Sequence, residues 1–216
     1  MEIRKITLDD ALPSVFKGEK PVPSDIWRTR VSFEKGRHYI VSAESGTGKS
    51  SLCAYIYGAR RDYEGTITFN DTDIRSFTTS KWQEVRRSNL AYLPQELDLF
   101  PELSAWDNII LKNDLTGHFQ GEKIEALLVR LGIGARRNFP VGKMSIGQQQ
   151  RVAIIRALCQ PFDFIFLDEP VSHLDSENNR IAASLIEEEA ASQNAAIIST
   201  SVGNHLLLAG AEHLHL

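Results

Sequence analysis

The chain has 216 residues, 42% of them hydrophobic and 24% charged, and a formal net charge of −4. That length allows one sizeable domain with a full core. The acidic balance leaves no basic footprint for a nucleic-acid partner, and no apolar run is long enough to span a bilayer.

The opening Met1-Glu2-Ile3-Arg4-Lys5 lacks the apolar core of a signal peptide. The two cysteines, Cys53 and Cys159, lie far apart in apolar helical contexts. They suit buried thiols in a reducing compartment better than a metal site. The expectation is an intracellular protein that reaches a membrane only through a partner.

Residues 2–8 and 26–33 alternate apolar and polar and are predicted to be strands, separated by a loop over 13–25 rich in Pro, Gly and charge. A third strand, 37–42, runs into Ala43-Glu44-Ser45-Gly46-Thr47-Gly48-Lys49-Ser50, and a helix follows over 50–58. Strand, glycine-bearing loop and helix start together can wrap a phosphate chain. The backbone N–H groups turn inward and the helix presents its positive dipole end. Lys49 can reach the outer phosphates, and the Ser50 hydroxyl can hold Mg²⁺. An ordinary strand-to-helix turn is the plainer alternative.

Gly65–Phe69 and Leu90–Leu93 are predicted as strands, the second ending at Pro94-Gln95. Helices are expected over 104–113, 121–132 and Gly147–Leu158. The stretch from Glu96 to Leu158 thus breaks the strand–helix alternation and is expected to be an insertion beside the sheet. At its end, Met144-Ser145-Ile146-Gly147-Gln148-Gln149-Gln150-Arg151 sets a serine, a glycine and amides at a helix mouth. That is either a second anion site or a plain N-cap.

Phe162–Leu167 is continuously apolar, as in a strand buried on both faces, and ends in Asp168-Glu169-Pro170. Two carboxylates at the sheet edge where α/β proteins place ligands can hold Mg²⁺ (Asp168) and polarise a water (Glu169). A helix over 177–192, a buried strand Ala195–Ser199 and a short strand His213–Leu216 complete the chain. The fold class is α/β with a mainly parallel sheet, an N-terminal antiparallel β portion and an inserted helical subdomain.

Taken together, these residues resemble the ATP-binding-cassette (ABC) ATPases over nearly the whole chain, with the motifs in family order. Ser45, Gly46, Thr47, Gly48, Lys49, Ser50 and Ser51 resemble the Walker A loop, and Gln95 the Q-loop glutamine. Ser145-Ile146-Gly147-Gln148 resemble the signature, Ile165–Glu169 the Walker B strand with its glutamate, and Ser172-His173-Leu174-Asp175 the D-loop.

The resemblance implies a P-loop NTPase core over 1–95 and 159–216, with a helical subdomain over about 96–158. It implies ATP and Mg²⁺ as cofactors, with the metal near Ser50, Gln95 and Asp168. A second ABC subunit would pack head to tail, so that Ser145, Gly147 and Gln148 reach the ATP held by the other copy and Asp175 links the two sites. A multi-span membrane permease would be the further partner. Phe16 is the candidate for stacking on adenine, with tucking into the local core as the alternative; Trp27 and Tyr39 are expected to pack within strands.

Three departures from the family pattern stand out. Ala43 replaces a loop glycine and Ile146 a signature glycine. Ser201 occupies the position where the family has a histidine, with His205 further on in what is expected to be the next helix. A serine brings a donor but no cation, which predicts slow hydrolysis.

The leading expectation is the ATPase subunit of a membrane transporter, on the cytoplasmic side of the membrane through its partner. An ABC ATPase driving a cell-division or lipoprotein-release complex, and an ATP-gated clamp of low turnover, remain open.

Overall fold

The structure, a computed structural model, describes residues 1–18 and 23–216. Two sheets form its frame. In the first, β1 (Lys5–Pro13) pairs antiparallel with β2 (Arg30–Glu34) and β4 (Tyr63–Phe69), and β5 (Thr72–Asp73) closes the β4 edge. The second is parallel throughout. It contains β3 (His38–Ser42), β6 (Leu90–Leu93), β7 (Phe164–Asp168), β8 (Ala196–Ser201) and β9 (Glu212–His215) in the order β6-β7-β8-β3-β9.

The parallel sheet is a wall between two cores. Because side chains alternate along a strand, Phe164 and Phe166 of β7 enter one core with Val41, Phe33 and Phe69. Ile165 and Leu167 enter the other, with Ile154, Leu158 and Ile186. This two-sided burial is why β7 is apolar without interruption until Asp168.

Helix α1 (Lys49–Ile56) packs on the first core, and α2 (Thr79–Ser88) adds Trp82 and Val85 to it. The helices α3 (Ala105–Asn113), α4 (Gly121–Arg130) and α5 (Ile146–Leu158) occupy the inserted stretch and share the second core with α6 (Ser176–Ser192). In α4, Ile124, Leu127 and Leu128 form the buried stripe.

Several expectations need correction. The first strand runs to Pro13 rather than ending near residue 8, with a bulge between Asp9 and Leu12 where Asp10 takes φ 51°. Strand β2 begins at Arg30, so Ile26 and Trp27 lie outside it; both donate their backbone N–H to Ser24 Oγ. Helix α2 was not expected; it buries Trp82 and Val85, three residues apart, and Thr78 caps it by accepting from the Lys81 N–H. No helix follows β8: residues 202–211 are irregular, with bends over 202–204 and a turn at 209–210. Of the expected 13–25 loop, residues 19–22 lie outside the described residues.

Candidate functional site

The loop from β3 to α1 is built to leave donors free. Gly48 precedes the helix with φ 100°, a left-handed conformation that glycine adopts without a Cβ penalty, and no side chain caps the helix start. A Cβ on Gly48 would also come within 3.2 Å of the Phe16 ring and 3.3 Å of the Trp27 indole. Ala43 does not take a positive φ, so its methyl costs nothing there.

Lys49 is buried, and its ammonium bridges Glu44 O at 3.0 Å and Glu169 Oε1 at 3.9 Å. The cation thus already points across the loop mouth. The Ser50 hydroxyl is exposed, whereas Arg60 holds Ser51 Oγ at 3.0 Å.

Asp168 and Glu169 end β7 beside this loop. Asp168 is 1% exposed. Its Oδ1 accepts from Thr200 Oγ1 at 2.5 Å, while its Oδ2 is buried with no hydrogen-bond partner among the described residues. A buried, unpaired carboxylate oxygen is costly, and a hard cation is the natural partner for it. An exposed hydroxyl (Ser50), this carboxylate and the exposed Gln95 amide make an all-oxygen donor set that fits Mg²⁺.

Glu169 holds φ 54°, a strained conformation for a non-glycine residue. Leu97 at φ 63° and Asp98 at φ 49°, two and three residues after Gln95, share that feature.

The mouth of α5 carries a complete capping box. Ser145 Oγ accepts from the Gln148 N–H at 3.3 Å, and Gln148 Oε1 accepts from the Ser145 N–H at 3.1 Å. The Gln148 side chain is therefore engaged within its own chain. Ile146 points outward, 48% exposed. Gly147 lies against the D-loop, where a Cβ would meet His173 O at 2.9 Å. Among the described residues, no hydrogen bond or ion pair joins Ser145 or Gly147 to the β3–α1 loop.

Asp175 caps α6 by accepting from the Asn178 backbone N–H at 2.8 Å, and that hydrogen bond lowers its pKa. Phe16 is half-buried and packs against the first core, the tucked alternative, while its ring edge borders Gly48. Ser201 is buried at the end of β8, where its hydroxyl contacts His205 Nδ1.

Two site residues escaped the sequence reading. Trp27 is not a strand packing residue; its indole N–H donates to Thr47 O at 3.0 Å and braces the loop. Gln150 is buried, donates to Glu169 O at 2.9 Å and accepts from the His173 N–H at 3.1 Å. Its signal was present: a glutamine four residues before Ile154 falls on the buried stripe, where an amide must find partners.

A family model described as "ABC transporter" matches residues 28–172. The chain belongs to the ABC transporter family. This cassette is 32% identical to the ABC transporter ATP-binding protein YtrE of Bacillus subtilis over 175 residues, covering 80% of this chain and 74% of that one. It is 32% identical over 181 residues to the lipoprotein-releasing system ATP-binding protein LolD of Saccharophagus degradans, covering 81% and 79%.

The fold is that of the dimeric bacterial cassette MJ0796, with TM-score 0.75, 23% identity and 90% and 87% coverage. It also superposes on that cassette's post-hydrolysis ADP- and Pi-bound dimer with TM-score 0.76, 21% identity and coverage of 92% of this chain and 88% of that one. Among the described residues of this chain, no helix is long and apolar enough to cross a membrane.

Proposed function

We propose that this cassette hydrolyses Mg·ATP as one half of a head-to-tail pair, and that the pair drives a membrane-embedded partner from its cytoplasmic face. The observation that carries the reading is the split of the chemistry within one chain. The phosphate loop, Asp168 and Glu169 share one sheet edge. The signature mouth at Ser145 belongs to the helical side and has no hydrogen bond or ion pair to that loop among the described residues. A second copy completes the site.

In this reading, the uncapped N–H groups of Gly48 and α1 and the Lys49 ammonium bind the β- and γ-phosphates. Gly46, Thr47 and Ser51 contribute loop and helix N–H groups. Ser50, Gln95 and, through water, Asp168 would hold the metal, which when bound neutralises phosphate charge. Glu169 orients and polarises the attacking water once the phosphates have drawn Lys49 away from it. Ser145 and Gly147 offer a second positive helix end to the γ-phosphate of the partner copy. Asp175, at the start of α6, faces the opposite copy, and Ser201 serves the γ-phosphate.

The partner surface we infer is the cavity of about 160 Å³ lined by Tyr57, Tyr92, Leu97, Asp98, Lys112 and Arg156. It lies directly behind the strained Q-loop, and Phe100 beside it is 49% exposed. Trp106 and Leu99 are claimed by the second core, which leaves Phe100 as the apolar contact. The 32% identity to LolD supports driving lipoprotein release as a second reading beside transport.

Glu169→Gln tests the core of the proposal. The variant should bind ATP, stop turning over and accumulate as an ATP-bound dimer in light scattering with Mg²⁺. A variant that hydrolyses ATP as fast as the parent rules Glu169 out as the base.

A further inference from the structure

Ser201 occupies the register position next to Glu169. Asp168 pairs with Thr200 across β7 and β8, and the Glu169 N–H donates to Thr200 O at 3.2 Å. On the other side, Ser201 pairs with Ser42, and its carbonyl accepts from the Ala43 N–H at the start of the phosphate loop. In sheet order Ser201 therefore stands between the strand end that carries Glu169 and the strand end that opens into the phosphate loop.

The chain after Ser201 curls back instead of forming a helix, and this brings the His205 ring onto that hydroxyl through Nδ1. The curl is anchored at three points. Buried Asn179 donates to His205 O at 2.9 Å, Asn204 donates to Val171 O at 2.9 Å, and Leu206 is buried in the second core. The other face of the imidazole meets His213 edge-on, with ring centroids 6.2 Å apart. These contacts hold the backbone on both sides of the ring, and one ring nitrogen rests on a buried hydroxyl.

We propose that Ser201 and His205 act as a hydrogen-bonding dyad at the γ-phosphate, with His205 the positioning residue. This rests on the ATPase reading above. A hydroxyl has one proton to give and two lone pairs to receive. If His205 carries its proton on Nδ1, it donates to Ser201 Oγ, and the Ser201 proton is free to point at a γ-phosphate oxygen. With the proton on Nε2, Nδ1 instead accepts the serine proton and turns it away from the phosphate. The tautomer of His205 thus decides whether Ser201 is a donor to the nucleotide. No bond is made or broken in this relay, and no net proton moves. The dyad supplies through two residues the donor that a histidine at position 201 would supply alone, so the serine there does not imply slow turnover.

The test compares the parent with Ser201→Ala, His205→Ala, His205→Asn, His205→Gln and the double alanine variant. Steady-state phosphate release is measured as kcat and KM separately, and thermal unfolding checks that each variant folds. Each single alanine should lower kcat by roughly ten- to a thousandfold, the range for one donor to developing charge, with KM within about threefold because ground-state binding is not what is lost. The double variant should be no slower than the singles. His205→Asn, whose amide N–H overlays Nδ1–H, should restore most of the rate, and His205→Gln should not.

A readout independent of turnover is ¹⁵N NMR of histidine-labelled, nucleotide-free protein. His205 Nδ1 should be the protonated nitrogen, and its shift should move in Ser201→Ala. A parent that binds and hydrolyses ATP while His205→Ala matches its kcat overturns the dyad alone. So does an Nδ1 that is unprotonated with and without ATP. A parent that fails to bind Mg·ATP overturns the ATPase reading and the dyad with it.

Discussion

Asp168→Asn should make the nucleotide-free protein more stable and at the same time remove its response to Mg²⁺. Asp168 is 1% exposed, and only one of its two oxygens is hydrogen-bonded. Leaving a buried polar atom unpaired costs about 1–3 kcal/mol, and more when the group is charged. Asparagine keeps the shape, can still accept from Thr200 through Oδ1 and removes the charge, though its amide then needs a partner of its own. A net gain of roughly 1 kcal/mol in the nucleotide-free state corresponds to about 2–4 °C in Tm for a chain of this size.

The loss on loading is larger. Ligand at about a hundred times its Kd stabilises a protein by about 2.7 kcal/mol, or roughly 5–11 °C here. The metal-dependent part of that increment should vanish in the variant, because an amide N–H₂ turned toward the cation site repels what the carboxylate attracts. Scanning calorimetry of parent and variant, alone, with ATP and EDTA, and with ATP and Mg²⁺, separates the two effects. A variant that melts below the parent without nucleotide and keeps the full Mg²⁺ increment would refute both the unpaired-oxygen argument and the placement of the metal.

Lys49→Ala should abolish tight ATP binding in titration calorimetry, since Lys49 is the sole cation of the phosphate loop; unchanged affinity refutes the loop assignment. Gly147→Ala should slow hydrolysis at least tenfold while costing about 1–3 kcal/mol of stability, because its Cβ would stand 2.9 Å from His173 O and push the D-loop away. Phosphate release and thermal unfolding check it, and a variant with parental rate and Tm shows that the helix mouth and the D-loop need not touch.

The parts legible in the sequence are those whose physics is local. A glycine at φ 100° before a lysine and a serine, or an apolar strand stopped by two acids, carries its meaning in adjacent residues. What was missed depends on chain ends far apart in sequence. Helix α2 has only Trp82 and Val85 as large apolar residues, and it is the tertiary contact of Trp82 with Phe69 and Phe77 that fixes it on the first core. Trp27 looked like a strand residue because its neighbours alternate, yet the Ser24 turn and the Thr47 carbonyl decide its place. The curl after Ser201 had a signal in Val202-Gly203-Asn204, a breaker pair that argues against a helix. What no local pattern could supply is that the curl ends with an imidazole on Ser201.

The same split between local and distant contacts explains how the helical side can act on the chemistry. The signature helix and Glu169 belong to different parts of the fold, but Gln150 joins them within one chain. Its amide N–H₂ binds Glu169 O and Ser172 Oγ, and its carbonyl receives the His173 N–H. One buried side chain thus fixes both the strained Glu169 backbone and the start of the D-loop relative to α5. In the proposed pair, a rotation of α5 on engaging the opposing copy's nucleotide would either carry Glu169 along or break hydrogen bonds that burial makes expensive to lose. A packed contact of apolar side chains could slide by a fraction of an ångström at little cost. A fully paired buried amide cannot, so in the proposed pair Gln150 would pass a movement of α5 to the Glu169 backbone.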